Sequence, residues 1–225
     1  MRKMQWAAVL AGALVAAPAM AAESGNGSGK KADAEAGKQL VLKGNPDNPM
    51  VMACQSCHGK KGKGNPTAKF PRLAGQNVEY IIKQLKNFAD GSRANYPTMA
   101  NIAKGMSEQD MKNVAAYYNK QDVTVSGSDA SDQLMAMGER IANNGLGEKN
   151  VPACTSCHGP QGQGVPPVFP QVGGQHAGYI SKQLSDWANG NRSNEPANMM
   201  ADIAPKLSEE QRKAVAAYFS NQSPQ

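Results

Sequence analysis

Apolar residues recur at helical spacing along most of the chain. Val78, Ile81, Ile82, Leu85 and Phe88 fall on one face of a helix, and Tyr179, Ile180, Leu184 and Trp187 repeat that face less cleanly around Gln183. A further helix opens at each of two capping boxes. Ser107 with Asp110 precedes Met111, Val114, Tyr117 and Tyr118, while Ser208 with Gln211 precedes Val215, Tyr218 and Phe219. Shorter helices are expected around Ala34 to Leu42 and Gln133 to Asn143. No segment alternates apolar and polar residues with period two, so strands should be few and the fold class mainly α.

The pattern occurs twice. Ala53-Cys54-Gln55-Ser56-Cys57-His58-Gly59 answers Ala153-Cys154-Thr155-Ser156-Cys157-His158-Gly159, and Phe70-Pro71 with Gly75-Gln76 answers Phe169-Pro170 with Gly174-Gln175. Tyr80-Ile81 and Met99-Ala100-Asn101-Ile102-Ala103 answer Tyr179-Ile180 and Met200-Ala201-Asp202-Ile203-Ala204. A two-copy repeat of this length implies paired domains and not a solenoid. The expected organisation is a signal peptide at 1–21, a flexible leader at 22–32, domains at 33–122 and 131–225, and a linker at 123–130 around Ser126-Gly127-Ser128.

All four cysteines lie in the two copies of Cys-x-x-Cys-His, the attachment pattern for a c-type haem. On a tight helical turn, two thiols three residues apart can each add across a porphyrin vinyl group, and the following imidazole can reach the iron. The expected cofactors are two covalently bound c-type haems, attached at Cys54 and Cys57 and at Cys154 and Cys157, with His58 and His158 as iron ligands. Disulfides within the pairs, a zinc site or a thioredoxin-like redox pair would leave the repeated histidine unexplained.

The chain contains only one further histidine, His176, so two bis-histidine irons are excluded. His176 stands opposite Asn77 in the other half and is expected at a surface or interface. Methionine thioether is the remaining soft ligand. Met99 and Met200 each lie eight residues before a capping serine, with Met199 as the rival to Met200; Met106 and Met111 read as helix-boundary or core residues. Each methionine follows a Gly-x-Arg-x-Asn-x-Pro loop, in which Gly and Pro would shape a turn presenting the sulfur. Arg93 and Arg192 in those loops have two readings, as partners of haem propionates or as solvated side chains.

Composition and charge complete the reading. Aromatic residues are only 5% of the chain, so two small domains need something besides side chains to fill their interiors, and a porphyrin would do so. Arg2, Lys3, the apolar stretch Trp6 to Ala17 and Ala19-Met20-Ala21 form a cleavable export signal, too short for the ~20 residues of a spanning helix. The expected location is the periplasm. Residues 22–124 carry 15 Lys and Arg against 9 Asp and Glu, whereas residues 125–225 carry 7 against 9. Lys60, Lys61, Lys63, Lys69 and Arg72 crowd the chain after the first motif, as a docking patch or simply a solvated loop. Nucleic acid is not an expected partner of an exported protein of this kind.

In these motifs, from about residue 33 to 221, the chain resembles the cytochromes c4, dihaem class I cytochromes c. The resemblance implies two tandem cytochrome c folds related by a pseudo-twofold axis, His/Met ligation at both irons, and Pro71 and Pro170 carbonyls that accept the proximal imidazole proton. It also implies an electron carrier between respiratory redox proteins, such as a cytochrome bc1-type donor and a terminal oxidase acceptor, often loosely associated with the membrane. The competing class is a dihaem enzyme of peroxidase or thiosulfate-oxidising type, which needs one open or unusual iron; here the halves look alike and no spare cysteine exists.

Overall fold

The computed structural model describes residues 30–224, so the expected signal peptide and most of the expected leader lie outside the described residues. The first half comprises α1 (Ala34–Lys43), the one-turn α2 (Gln55–His58), α3 (Val78–Asp90), α4 (Pro97–Lys104) and α5 (Glu108–Asn119). The second repeats the order as α6 (Asp132–Asn144), α7 (Thr155–His158), α8 (Ala177–Ala188), α9 (Met199–Ile203) and α10 (Glu209–Ser220), with short 3-10 turns at Gly147–Lys149, Pro196–Asn198 and Ala204–Lys206. Among the described residues, β pairing is limited to four isolated bridges.

Local chemistry sets the helix starts. Asp33 accepts from the Glu35 and Ala36 amides, and Ser131 accepts from the Leu134 amide. Both capping boxes close in both directions, Ser107 with Asp110 and Ser208 with Gln211. The loop expected before Met99 is non-helical from Gly91 to Tyr96 and ends at Pro97, the first position of α4, where its fixed φ favours the helix and no amide is lost.

Within each half, the first and last helices cross at a glycine. A Cβ on Gly37 would lie 2.0 Å from the Asn113 carbonyl oxygen on α5, and one on Gly138 would lie 2.1 Å from the Ala214 oxygen on α10. Around these crossings lie two cores, one including Val41, Leu85, Phe88 and Tyr118 and the other Ile141, Leu184, Val215 and Phe219.

The two halves meet through a reciprocal clasp. The Gln175 side chain accepts from the Arg72 amide (2.8 Å) and donates to the Arg72 carbonyl (2.9 Å). Gln76 does the same to Gln171, accepting from its amide (2.9 Å) and donating to its carbonyl (2.9 Å). Each residue's partner is the other's counterpart, the signature of an isologous contact about a pseudo-twofold axis. His176 joins this interface, its Nε2–H donating to the Lys63 carbonyl at 2.8 Å, while its counterpart Asn77 donates to the Phe169 carbonyl at 2.9 Å.

Two outcomes test this account. Gly37→Ala or Gly138→Ala should destabilise the protein by about 1–3 kcal/mol in denaturant titrations, as overpacking pushes the helices apart. Gly147→Ala, whose Cβ would meet nothing within 4 Å, should leave the midpoint unchanged. Gln175→Leu strands both backbone groups of Arg72 and should cost about 1–3 kcal/mol. Its signature is a splitting of one unfolding transition into two; an unsplit curve with an unchanged midpoint would show that the clasp does not couple the halves.

Candidate functional site

Each Cys-x-x-Cys-His segment forms a single helical turn, with the histidine amide bonded to the first cysteine's carbonyl at 2.9 Å in both halves. The four cysteines are half-buried and none is joined in a disulfide. Burial pushes the Cys54 and Cys154 thiols up to about 11, which makes neither a poised thiolate. Among the described residues, no three His, Cys, Asp or Glu side chains converge as a metal cluster.

The histidines are held alike. Pro71 O lies 3.1 Å from His58 Nδ1 and Pro170 O lies 2.9 Å from His158 Nδ1. A carbonyl can only accept, so Nδ1 carries the proton and Nε2 keeps its lone pair. Burial also lowers both imidazole pKa values, favouring the neutral form that can bind a metal.

His58, His158 and the four cysteines line one cavity of about 740 Å³ that runs through both halves. Its walls are mainly apolar, including Ile81, Leu85 and Phe88 in the first half and Ile180, Leu184 and Trp187 in the second. Met99, Met199 and Met200 all reach it. Met99 packs against the first core and Met200 against the second, whereas Met199 is not part of that core contact. Two more residues separate the loop proline from the methionine in the second half, Pro196 to Met200 against Pro97 to Met99, and this insertion is absorbed by Ala197 and Asn198, both left-handed with φ of 53°. From there the registers agree: fully buried Ala103 matches Ala204, and buried Met106 matches Leu207. Glu195 fixes this loop, accepting from Trp187 Nε1 and from the Ala201 amide, each at 2.7 Å.

Arg93 and Arg192 do not face solvent; they are only 3% and 4% exposed and border the cavity. Each donates to the glutamine of its own half and to that of the other. Arg93 reaches Gln84 and Gln183 (both 2.8 Å), and Arg192 reaches Gln183 (2.8 Å) and Gln84 (3.2 Å). Tyr179 and Tyr80 accept further bonds across the interface, and Phe88 and Trp187 stack under the guanidiniums. These glutamines and tyrosines were readable only as helix positions, though the recurrence of a polar Gln84 and Gln183 on otherwise apolar faces was a signal.

Two cations sharing neutral acceptors in a dry interface repel one another unless an anion lies close by. Asp186, linked to the network through Asn95, is already paired with Lys182 at 2.7 Å. The donor set therefore fits a flat apolar macrocycle bearing carboxylates. Arg72, grouped by sequence with the surface lysines, is instead 3% exposed and donates to the Gly173 and Gly174 carbonyls across the interface (2.6 and 2.7 Å). Lys60, Lys61, Lys63 and Lys69 remain exposed.

A family model described as cytochrome c matches residues 34–123 and again 136–223. A thiosulfate dehydrogenase electron acceptor from Stutzerimonas stutzeri is 40% identical over 194 residues, covering 85% of this chain and 88% of that protein. Cytochrome c4 from Pseudomonas aeruginosa is 39% identical over 168 residues, 74% of this chain and 82% of that one. The crystal structure of reduced recombinant cytochrome c4 from Pseudomonas stutzeri is similar with a TM-score of 0.75 and 34% identity, covering 85% of this chain and all of that one. Two matched domains, each with its own Cys-x-x-Cys-His turn on the shared cavity, make this chain a dihaem electron-transfer protein with two covalently bound c-type haems, a member of the cytochrome c family in its cytochrome c4 group.

Proposed function

We propose that this protein is an exported, periplasmic electron carrier in which His58 with Met99 and His158 with Met200 would hold the two haem irons. The observation that carries the reading is the duplication of the whole pocket: turn, imidazole with its proline carbonyl, methionine-bearing helix and buried arginine recur in both halves. Each haem supplies a one-electron couple. His58, Met99, His158 and Met200 would hold the two irons entirely with protein ligands and so leave no place for a substrate on the metal, which favours transfer over catalysis. Methionine sulfur holds the potential above that of a second histidine. Arg93 and Arg192 supply buried positive charge to propionates at the seam between the halves, which answers the charge imbalance of that network.

Residues 33–122 and 131–225 act as the two redox modules, joined by 123–130. No helix among the described residues is long and apolar enough to cross a membrane, in keeping with a carrier at most loosely associated with one. Electrons would come from a cytochrome bc1-type donor and leave to a terminal oxidase. A second donor is favoured by the relative named for accepting electrons from thiosulfate dehydrogenase. Dehydrogenation of a substrate releases two electrons, and one chain with two one-electron sites takes both.

Met99→His and Met200→His should each lower the potential of one haem and remove that site's methionine-to-iron band at the red end of the oxidised spectrum. Redox titration of each variant, with a haem-to-protein ratio of two, checks this. Loss of the second band in Met199→Ala but not in Met200→Ala would move the ligand by one residue. Catalytic turnover of peroxide or thiosulfate by the isolated protein would overturn the carrier reading.

A further inference from the structure

We propose that the loop after the first haem motif, residues 59–64 with Lys60, Lys61 and Lys63, is the docking surface for an acidic redox protein. The proposal rests on the carrier reading and names the chemistry of one partner. Its basis is a control built into the molecule. The equivalent loop, 159–164, has the same backbone but Pro160, Gln161 and Gln163 in place of the three lysines.

The shared backbone is specific. Gly62 and Gly162 have φ of 68° and 70°, and Gly64 and Gly164 have 74° and 82°. The Gly64 and Gly164 amides donate to the His58 and His158 carbonyls at 2.9 and 2.7 Å, and the Gly62 and Gly162 carbonyls accept from Leu73 and Val172 at 2.8 and 2.7 Å. A loop that forms equally well without lysines does not need them to fold. Among the described residues, their ammonium groups make no ion pair, whereas Lys38, Lys86, Lys112, Lys182 and Lys213 all do.

The surroundings strengthen the charge. No Asp or Glu occurs from Asn48 to Val78, and no charged Asp, Glu, Lys or Arg occurs from Asn150 to Ser181. The chain after the first haem motif therefore carries positive charge with no acidic neighbour in sequence, whereas the chain after the second carries no charge at all as far as Ser181. The basic loop is also held still: Tyr117 donates to the Lys60 carbonyl at 3.1 Å and His176 to the Lys63 carbonyl at 2.8 Å. Met52, 54% exposed and on the cavity wall, places an apolar contact beside the same motif. A braced cationic loop beside an exposed apolar side chain suits a small, transient encounter with an acidic surface.

The test uses the haem-loaded protein with Lys60→Gln, Lys61→Gln and Lys63→Gln combined, residues the second loop already tolerates in kind. Its reductants are an acidic flavodoxin and, as a cationic control, hexaammineruthenium(II). In each case one electron leaves the reductant, a ferric site gains it, and no bond is made or broken. At low ionic strength the flavodoxin rate constant should fall about tenfold, within the range of electrostatic steering, and its salt dependence should flatten. The ruthenium rate should not fall, and both potentials should hold. An unchanged flavodoxin rate, or an equal fall with both reductants, overturns the proposal. A wild type that ruthenium reduces and flavodoxin does not also overturns it but leaves the carrier reading standing. If neither reagent reduces the haems, the carrier reading fails first.

Discussion

The crossing of the first and last helices at a glycine in each half governs the rest of the structure. Gly37 against Asn113 and Gly138 against Ala214 bring first and last helices closer than any side chain would allow. The crossing fixes α5 and α10, whose Tyr118 and Phe219 then press on the glycine loops behind the haem motifs; a Cβ on Gly62 would lie 2.6 Å from Tyr118, and one on Gly162 would lie 2.9 Å from Phe219. Those loops in turn hold the histidine turns. A low aromatic content is tolerable because the few large rings stand where they brace the pocket, and the macrocycle supplies the remaining apolar bulk.

The interface obeys a different logic. It is polar, and nearly every polar group in it is answered by the other half. The glutamine clasps satisfy backbone that a single domain would leave to water, and the arginine pair shares amide oxygens from both sides. Such networks are costly when half complete, which favours one relative orientation of the halves. The proposed pairing of Arg93 and Arg192 with haem carboxylates would tie cofactor attachment to domain docking.

Much of this was legible in the chain. The helices, their caps and the duplicated cysteine motif depend on neighbours a few residues apart, so spacing exposes them. The fates of Arg72, Arg93 and Arg192 depend on acceptors roughly a hundred positions away, Gly173, Gln183 and Gln84, and a lone arginine in a polar loop reads the same whether it ends in solvent or in a seam. The turn before Met200 was obscured for another reason. Its left-handed residues are Ala197 and Asn198 and not glycine, so nothing in the composition marks where the insertion is absorbed.

The remaining asymmetry is one of surface, not of pocket. Exposed lysines act through water and ions, where their influence fades over a Debye length of about 10 Å, so they alter a buried potential little. They act at full strength on a partner still in solution, before contact excludes the water. The buried arginines are the reverse case. Each is poorly screened and bonded to the glutamines of both halves, so its charge is shared across the seam. The interior is thus duplicated, while the unduplicated loop is where the two ends differ in charge and, on the docking proposal, in the protein each attracts.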